Sequence, residues 1–281
     1  MKFKTVFVVF NTIVLLSFLM VFALPFFILD GDHASSFWQN NWYVLLALVL
    51  VLAVVNSYFI ANWRLMVLLE REDWPAVGEY LEKVVIRRKN WSPRLVHLLA
   101  STYLVLSDIT ALRTLETKAA REKPRALEDH ALVFGIGRIL AKDSAGARSF
   151  FSERIERAGR RADDWLRWYH GFSALLDHDH EAAAEAFISL APLSKDYLLM
   201  ALSLYYLEDL VDVLPSDAAS NVSRIMPLLK DRILKRFPHR GDWERELARS
   251  RTDIHVVVLS RTVADTSKRL YPNAFMQGSS R

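Results

Sequence analysis

The sequence predicts an all-α membrane protein in which two N-terminal transmembrane helices carry a water-facing helical domain. The chain has 281 residues, of which 52% are hydrophobic, and the excess lies in roughly the first 60 residues. The remaining residues form amphipathic segments separated by short breaks. With only 9 Gly and 9 Pro, the composition argues against an all-β chain rich in turns.

Two uncharged segments near the N-terminus, residues 5–29 and 43–60, are long enough to cross a bilayer. A hydrocarbon core of about 30 Å needs about 20 helical residues. The stretch 30–42 between them is predicted to be a short loop, with two acids and no Lys or Arg. Residues 1–62 are therefore predicted to form a transmembrane hairpin.

The flanking cations predict the orientation of this hairpin. Lys2 and Lys4 precede the first segment, Arg64 and Arg71 follow the second, and the predicted loop has no cation. The positive-inside rule places both termini in the cytoplasm. A cleaved signal peptide is the alternative for the first segment, but its apolar run exceeds the usual h-region of about 7–15 residues. The aromatic residues expected at the membrane interfaces are Phe37, Trp38, Trp42, Tyr43, Tyr58 and Trp63. Two polar residues within the segments, Asn11 and Asn56, are expected either to hydrogen-bond across the helix pair or to meet lipid headgroups.

A repeat begins after the second segment. Four aspartates are spaced 35, 35 and 36 residues apart: Asp73, Asp108, Asp143 and Asp179. Each follows one predicted helix and opens another, as expected for an Asp that caps a helix N-terminus. Small residues stand three or four places after each aspartate: Ala76, Ala111, Ala147 and Ala183. The pattern predicts two helices per repeat, closely packed where the small residues lie.

This pattern resembles the tetratricopeptide repeat, in which two helices recur with a period near 34 residues. The residue pairs Ser107-Asp108, Lys142-Asp143 and His178-Asp179 stand where that family has a Gly-Asp-like turn followed by Ala. The departure is the glycine, which is missing from all four copies. The resemblance implies an α-solenoid of helix hairpins over residues 63–210, with a concave protein-binding surface. The layout also resembles that of HemY-type bacterial inner-membrane proteins.

The C-terminal part is predicted to contain capping helices over residues 211–272, followed by a disordered tail over 273–281. One amphipathic helix is expected between Pro215 and Arg236. It either covers the open end of the solenoid or lays its basic face on anionic lipid. Further helix is expected between Trp243 and Leu270, although the β-branched stretch Ile254–Leu259 also suits a short strand.

The sequence carries no catalytic motif, and we expect neither enzymatic activity nor a cofactor or metal. The absence of Cys excludes thiolate metal sites and Cys nucleophiles. The cluster Asp177–His180 is interpreted as a polar turn, with a metal site as the alternative. Gly135 and Gly137 lie inside a predicted helix and indicate close helix packing more than a dinucleotide site. The net charge of +4 gives no reason to expect nucleic acid.

One aromatic cluster is the candidate for partner binding: Trp165, Trp168, Tyr169 and Phe172. Core packing explains part of it, and an aromatic left on the concave face would suit a peptide anchor. We therefore expect a membrane-anchored adaptor at the cytoplasmic face of the inner membrane, whose partners are other, membrane-associated proteins and the bilayer. The alternative is a structural subunit of a larger membrane complex, held through its transmembrane helices.

Overall fold

The chain is helical throughout the described part of the molecule, as predicted. The computed structural model describes residues 3–28, 31–250 and 253–272, and no strand occurs among them. The predicted disordered tail, 273–281, lies outside the described residues. Contacts within the chain divide it into two units, Met1–Val84 and Val85–Arg281. The helices of the first unit are α1 (Phe3–Ile28), α2 (Gly31–Glu70) and α3 (Trp74–Glu82).

The predicted loop between the apolar segments is wrong for residues 31–42, which belong to α2. After Gly31 this stretch contains no Gly or Pro, so nothing in it breaks a helix. The interruption is a kink at Asn41, whose φ of −121° departs from helical geometry. The side chains of residues 31–38, including the predicted interfacial Phe37 and Trp38, lie outside those described.

Helices α1 and α2 pack against each other and are both long and apolar enough to span a membrane. The apolar stretches are Phe7–Ile28 and Trp42–Glu70, with a mean hydropathy of 2.6 each. The ring of Phe7 lies 5.7 Å from that of Phe59 and 5.5 Å from that of Trp63, edge to face. Many of the other apolar side chains point away from the helix pair, which suits a hydrocarbon environment.

The two asparagines in these helices do not bond across the pair. The side-chain amide of Asn11 donates to the carbonyl of Phe7, and that of Asn56 donates to the carbonyl of Leu52, both at 3.0 Å. Each amide is thus bonded one turn back along its own helix. This satisfies a polar group where water is scarce.

The second unit consists of successive helices that pack mainly on their neighbours in the chain. A short π-helix, Lys83–Arg87, spans the boundary between the units. The helices that follow are α4 (Pro93–Val105), α5 (Ile109–Glu122), α6 (Pro124–Asp129), α7 (Ala131–Leu140), α8 (Ser144–Ala158), α9 (Asp164–Leu176), α10 (His180–Leu190), α11 (Tyr197–Leu210), α12 (Ser216–Arg236), α13 (Arg240–Arg249), α14 (Ile254–Val258) and α15 (Ser260–Leu270).

Two details of this order differ from the sequence-based expectation. The helix expected before Asp143 is broken into α6 and α7 at His130, whose φ and ψ are −123° and 23°. The strand alternative for Ile254–Leu259 is wrong, because this stretch forms the single-turn helix α14. It has no neighbouring strand with which to pair within the described residues, and a lone strand would leave its backbone groups unsatisfied.

The four aspartate turns share one backbone geometry. In each, the residue before the aspartate has a positive φ: Glu72 (54°), Ser107 (55°), Lys142 (60°) and His178 (61°). That residue donates its N–H to the carbonyl three residues back, and the aspartate donates its N–H to the carbonyl five residues back. This pair of bonds is the Schellman motif, which closes a helix C-terminus around a left-handed residue. The position is the one at which the sequence lacks glycine.

Each aspartate then caps the helix that follows. The side-chain Oδ1 accepts from the backbone N–H three residues on, with N···O distances of 3.2 Å to Ala76, 2.9 Å to Ala111, 3.0 Å to Gly146 and 3.2 Å to Ala182. An arginine five residues after one aspartate reaches the next: Arg113 lies 3.4 Å from Asp143, and Arg148 lies 2.8 Å from Asp179. Equivalent positions of successive hairpins are thus in contact.

The two glycines of α7 allow close approach of neighbouring side chains. A Cβ at Gly135 would lie 2.2 Å from the ring of Phe151, and one at Gly137 would lie 2.3 Å from Leu112. Both distances are shorter than van der Waals contact. The interpretation of these glycines as packing residues therefore agrees with the structure.

Candidate interaction groove

The predicted aromatic cluster lies on α9 and is almost completely enclosed. Trp168 and Tyr169 are fully buried, and Trp165 and Phe172 are each 9% exposed. The indole N–H groups are both bonded: Trp168 donates to Ser203 Oγ at 3.1 Å and Trp165 to Asp196 Oδ2 at 2.9 Å. None of the four is therefore an exposed anchor, and their role in partner binding stays a prediction.

One face of the cluster is covered by a residue that the sequence-based argument did not single out, His255 of α14. Its ring stacks on Trp165 with a centroid separation of 3.6 Å and an interplanar angle of 4°. Its Nδ1 lies 3.4 Å from the hydroxyl oxygen of Tyr169. The chain thus folds back from a position 86 residues beyond Tyr169 to cover its own aromatic cluster.

A cavity of about 430 Å³ lies beside this stack. Its floor comes from α4, α7, α9 and the start of α11, and its opposite wall comes from α14 and the residues before it. The lining residues are His97, Ser101, Leu104, Val105, Leu132, Trp165, Asp196, Leu198, Ser250, Asp253, Ile254, His255, Val257 and Val258. We call this cavity the groove. The floor is formed by α4, α7 and α9, which each precede an aspartate turn, and by α11, which has the equivalent place in the chain order. Helices α5, α8 and α10, which follow the turns, do not line it.

The groove is largely apolar, with acidic groups and no basic residue other than histidine. Asp196 and Asp253 are its carboxylates, and the lining contains no Lys or Arg. Asp196 is already engaged, because its Oδ1 accepts from the backbone N–H groups of Leu198 and Leu199. The groove therefore favours a neutral or cationic apolar group over an anion.

Burial keeps the His255 imidazole uncharged near neutral pH. Desolvation lowers the pKa of His255 to about 4. At the edge of the groove, the ring of His97 lies 5.3 Å from that of His130, and burial followed by the nearby His97 lowers the pKa of His130. Burial also raises the pKa of the Tyr169 hydroxyl above its ordinary value. His255 and Tyr169, both uncharged near neutral pH, thus share a hydrogen bond beside the cavity.

The acidic and histidine cluster at the fourth aspartate turn, residues 177–180, makes hydrogen bonds of its own. Asp177 accepts from Ser144 Oγ. Asp179 caps α10 and pairs with Arg148, and these two interactions, the backbone bond first, lower its pKa. In the part of the chain that the structure describes, no three His, Asp or Glu side chains converge as metal ligands. The cluster has the geometry of a capped turn.

The fold and the groove together define an all-helical protein with two apolar N-terminal helices of membrane-spanning length and an aromatic groove closed by its own C-terminal segment. The chain belongs to the family described as "Uncharacterised Treponema protein", whose model matches residues 111–272. It is 30% identical over 215 residues to a protein of Treponema pallidum (strain Nichols) described as "Uncharacterized protein", covering 75% of this chain and 67% of that one. No solved structure matches. The matched family region includes α9, α11 and α14.

Proposed function

We propose that the protein is a membrane-anchored adaptor whose helical hairpins form a TPR-like solenoid and whose groove binds partner proteins. The observation that supports this most is the location of the groove on successive, equivalent helices. Stacked helix pairs present such a surface to extended ligands. The four identical Schellman–aspartate turns support the repeat assignment, because they set one geometry between the two helices of each hairpin.

The anchor gives this surface its location. Two helices with apolar stretches of 22 and 29 residues precede the hairpins. The cations that flank these helices favour cytoplasmic termini at the inner membrane. Confinement to a membrane surface raises the effective concentration of membrane-associated partners, so contacts that are weak in solution become sufficient. Alkaline phosphatase fused after Arg281 should be inactive if the C-terminus is cytoplasmic. An active fusion would overturn this topology.

Exchanging the anchor tests the adaptor role. Residues 1–62 are replaced by an unrelated two-helix anchor of the same topology, and partners are captured in mild detergent from cells expressing either chain. An adaptor keeps its partners, because they bind the hairpins. A second chain carries Leu132→Asp, which places a charge in the groove, and should lose them. Loss of all partners on anchor exchange, with Leu132→Asp harmless, would refute the adaptor role.

A structural subunit held through the membrane helices is the second candidate, and one observation favours it. An apolar cleft of about 300 Å³ lies between α1 and α2, lined by Phe10, Val14, Ser17, Phe18, Val21, Val51, Leu52 and Val55. A cleft of this composition fits a side chain of a partner helix or a lipid chain. Filling it with Val14→Phe should weaken assembly if the spans hold the complex, and should leave an adaptor's partners in place.

A further inference from the structure

Helix α14 is poorly suited to form by itself. It has five residues, four of them Ile or Val, and β-branched residues lose side-chain freedom in a helix. Asp253 stands at its N-cap without a side-chain capping bond, and no α14 residue is fully buried. Isolated helices need about 12–15 residues to be even marginally stable. Its conformation therefore depends on what its side chains contact.

Across the groove, His255 gives α14 both a ring stack and a hydrogen bond. The ring stacks on Trp165 and approaches the Tyr169 hydroxyl. Val257, by contrast, is 50% exposed. The apolar side chains of α14 are all half-buried or exposed, so the ring of His255 makes the most specific contact that holds the helix in the groove.

The helices on either side of α14 are anchored independently of it. Trp243 of α13 is fully buried and donates to Ser267 Oγ of α15 at 2.8 Å. Helix α15 packs on α11 and buries Val263 and Leu270. Because these contacts do not involve α14, the helix can leave the groove while α13 and α15 stay in place.

We propose that α14 is a displaceable plug, and that the groove is a docking site for a partner segment with the same chemistry as α14: a short apolar stretch carrying one flat, uncharged hydrogen-bonding side chain that takes the place of His255. This inference rests on the adaptor function proposed above and specifies how its site is regulated and what it accepts.

The requirements on the partner follow from what α14 leaves behind. Without His255, one face of Trp165 loses its stacked ring, and the Tyr169 hydroxyl loses the partner it has in the structure. A buried hydroxyl without a hydrogen bond costs free energy, so an aliphatic side chain alone is a poor replacement. The remaining lining is apolar apart from its carboxylates and polar edge, which matches the Ile and Val side chains of α14. An acidic segment is disfavoured by Asp196, which belongs to the floor and stays when α14 leaves.

The plug controls affinity by competition. A tethered segment acts at a high effective concentration, so an outside segment of equal chemistry binds weakly while the plug is intact. Weakening the plug raises the fraction of open groove, and the apparent affinity for the partner rises in proportion. This relation makes the inference testable without knowledge of the cellular partner.

The test uses the full chain in detergent and a fluorescent peptide with the sequence of residues 250–260. His255→Ala weakens the plug, Val257→Asp repels it from Asp196 at a half-exposed position that spares folding, and His239→Ala removes an exposed histidine outside the groove as the matched control. We expect both plug variants to bind the peptide at least about tenfold more tightly than the wild type and the control. A peptide with Ala in place of its histidine should lose this binding.

Hydrogen exchange of the wild type supplies the second measurement. Amides of α14 should exchange at least about a hundredfold faster than those of α9 and α11, since opening is local. Equal protection of α14 and α9 would make α14 a fixed wall and overturn the inference, as would plug variants that do not bind the peptide. Peptide binding without any captured cellular partner would instead contradict the adaptor function and leave the plug standing.

Discussion

At the scale of single residues, the four aspartate turns carry a conformational cost that the sequence does not remove. Ser107, Lys142 and His178 have φ between 55° and 61°, where a Cβ crowds the following carbonyl oxygen. That conformation costs L-residues about 1–2 kcal/mol relative to glycine, which adopts it freely. The Schellman bonds and the aspartate cap hold each turn in place despite this cost.

Glycine at these positions should therefore stabilise the protein. For Lys142→Gly we expect an increase of about 0.5–1 kcal/mol in the free energy of unfolding, after the entropic cost of glycine in the unfolded chain. Chemical denaturation of the full chain in detergent measures it. Glu185→Gly, in the exposed interior of α10, is the control and should destabilise by about 1 kcal/mol. A destabilising Lys142→Gly would show that the Lys side chain contributes more than its backbone costs.

His255 gives the plug a pH dependence. Its pKa is about 4 in the closed groove and returns toward the ordinary value of about 6.5 when the plug leaves. Neutral His255 thus favours closure, a contribution fully present above pH 6.5 and lost as the pH falls toward 4. Desolvation alone lowers the pKa of His255. The direction of the pH dependence is therefore not reversed by the groups that face it: Tyr169, His97, Asp196 and Asp253.

Opening of α14 should accordingly increase as the pH falls from 6.5 to 4, by up to about tenfold per pH unit. Hydrogen exchange of the α14 amides, corrected for the intrinsic pH dependence of exchange, measures the opening. His255→Phe keeps a flat ring on Trp165 and removes the titration, so its opening should not vary over this range. A wild-type profile as flat as that of the Phe variant would show that the ring does not govern opening.

At the scale of elements, sequence periodicity predicts the features that depend on contacts between residues close in the chain. It does not predict those that depend on residues far apart in the chain. The aspartate spacing located the turns because helix end, left-handed residue and cap lie within a few residues of one another. The sequence does not indicate the kinked start of α2, because a polar stretch between two apolar segments is typical of a loop. This stretch nevertheless contains no helix breaker beyond Gly31. His255 was missed because its partners lie far away in the chain, and no local pattern marks a residue that folds back.

The contact between α7 and α8 depends on the absence of a side chain at Gly135. A methyl group there would lie 2.2 Å from the ring of Phe151, which is itself fully buried, so that shifting the ring would disturb its own packing. We expect Gly135→Ala to destabilise the protein by about 1–3 kcal/mol through overpacking, despite the better helix propensity of Ala. Denaturation measures the change. The double variant Gly135→Ala/Phe151→Leu should recover part of it, and no recovery would place the cost elsewhere.

At the scale of the whole molecule, the protein combines two long apolar helices with a second helical unit that carries the groove. The first unit exposes apolar side chains such as Leu16 and Leu50, 61% and 56% accessible, which water would not tolerate over two full helices. The second unit has a buried apolar core, which includes Leu99, Phe187 and Leu202. This distribution of apolar side chains supports the proposed location of α1 and α2 in a bilayer.

Charged substitutions in α1 and α2 test whether these two helices lie in a bilayer. Leu16→Arg lies near the middle of α1 and Leu50→Arg lies within the apolar stretch of α2. Each should cost about 2.5–3.5 kcal/mol of insertion free energy if the site lies near the bilayer centre. We expect the wild type to resist alkaline carbonate extraction and the double variant to be partly released or degraded. Leu193→Arg, at an 82% exposed site in the second unit, should stay with the membrane like the wild type. If the double variant is retained as firmly as this control, the two helices do not span the bilayer, and the adaptor would have to reach the membrane by another surface.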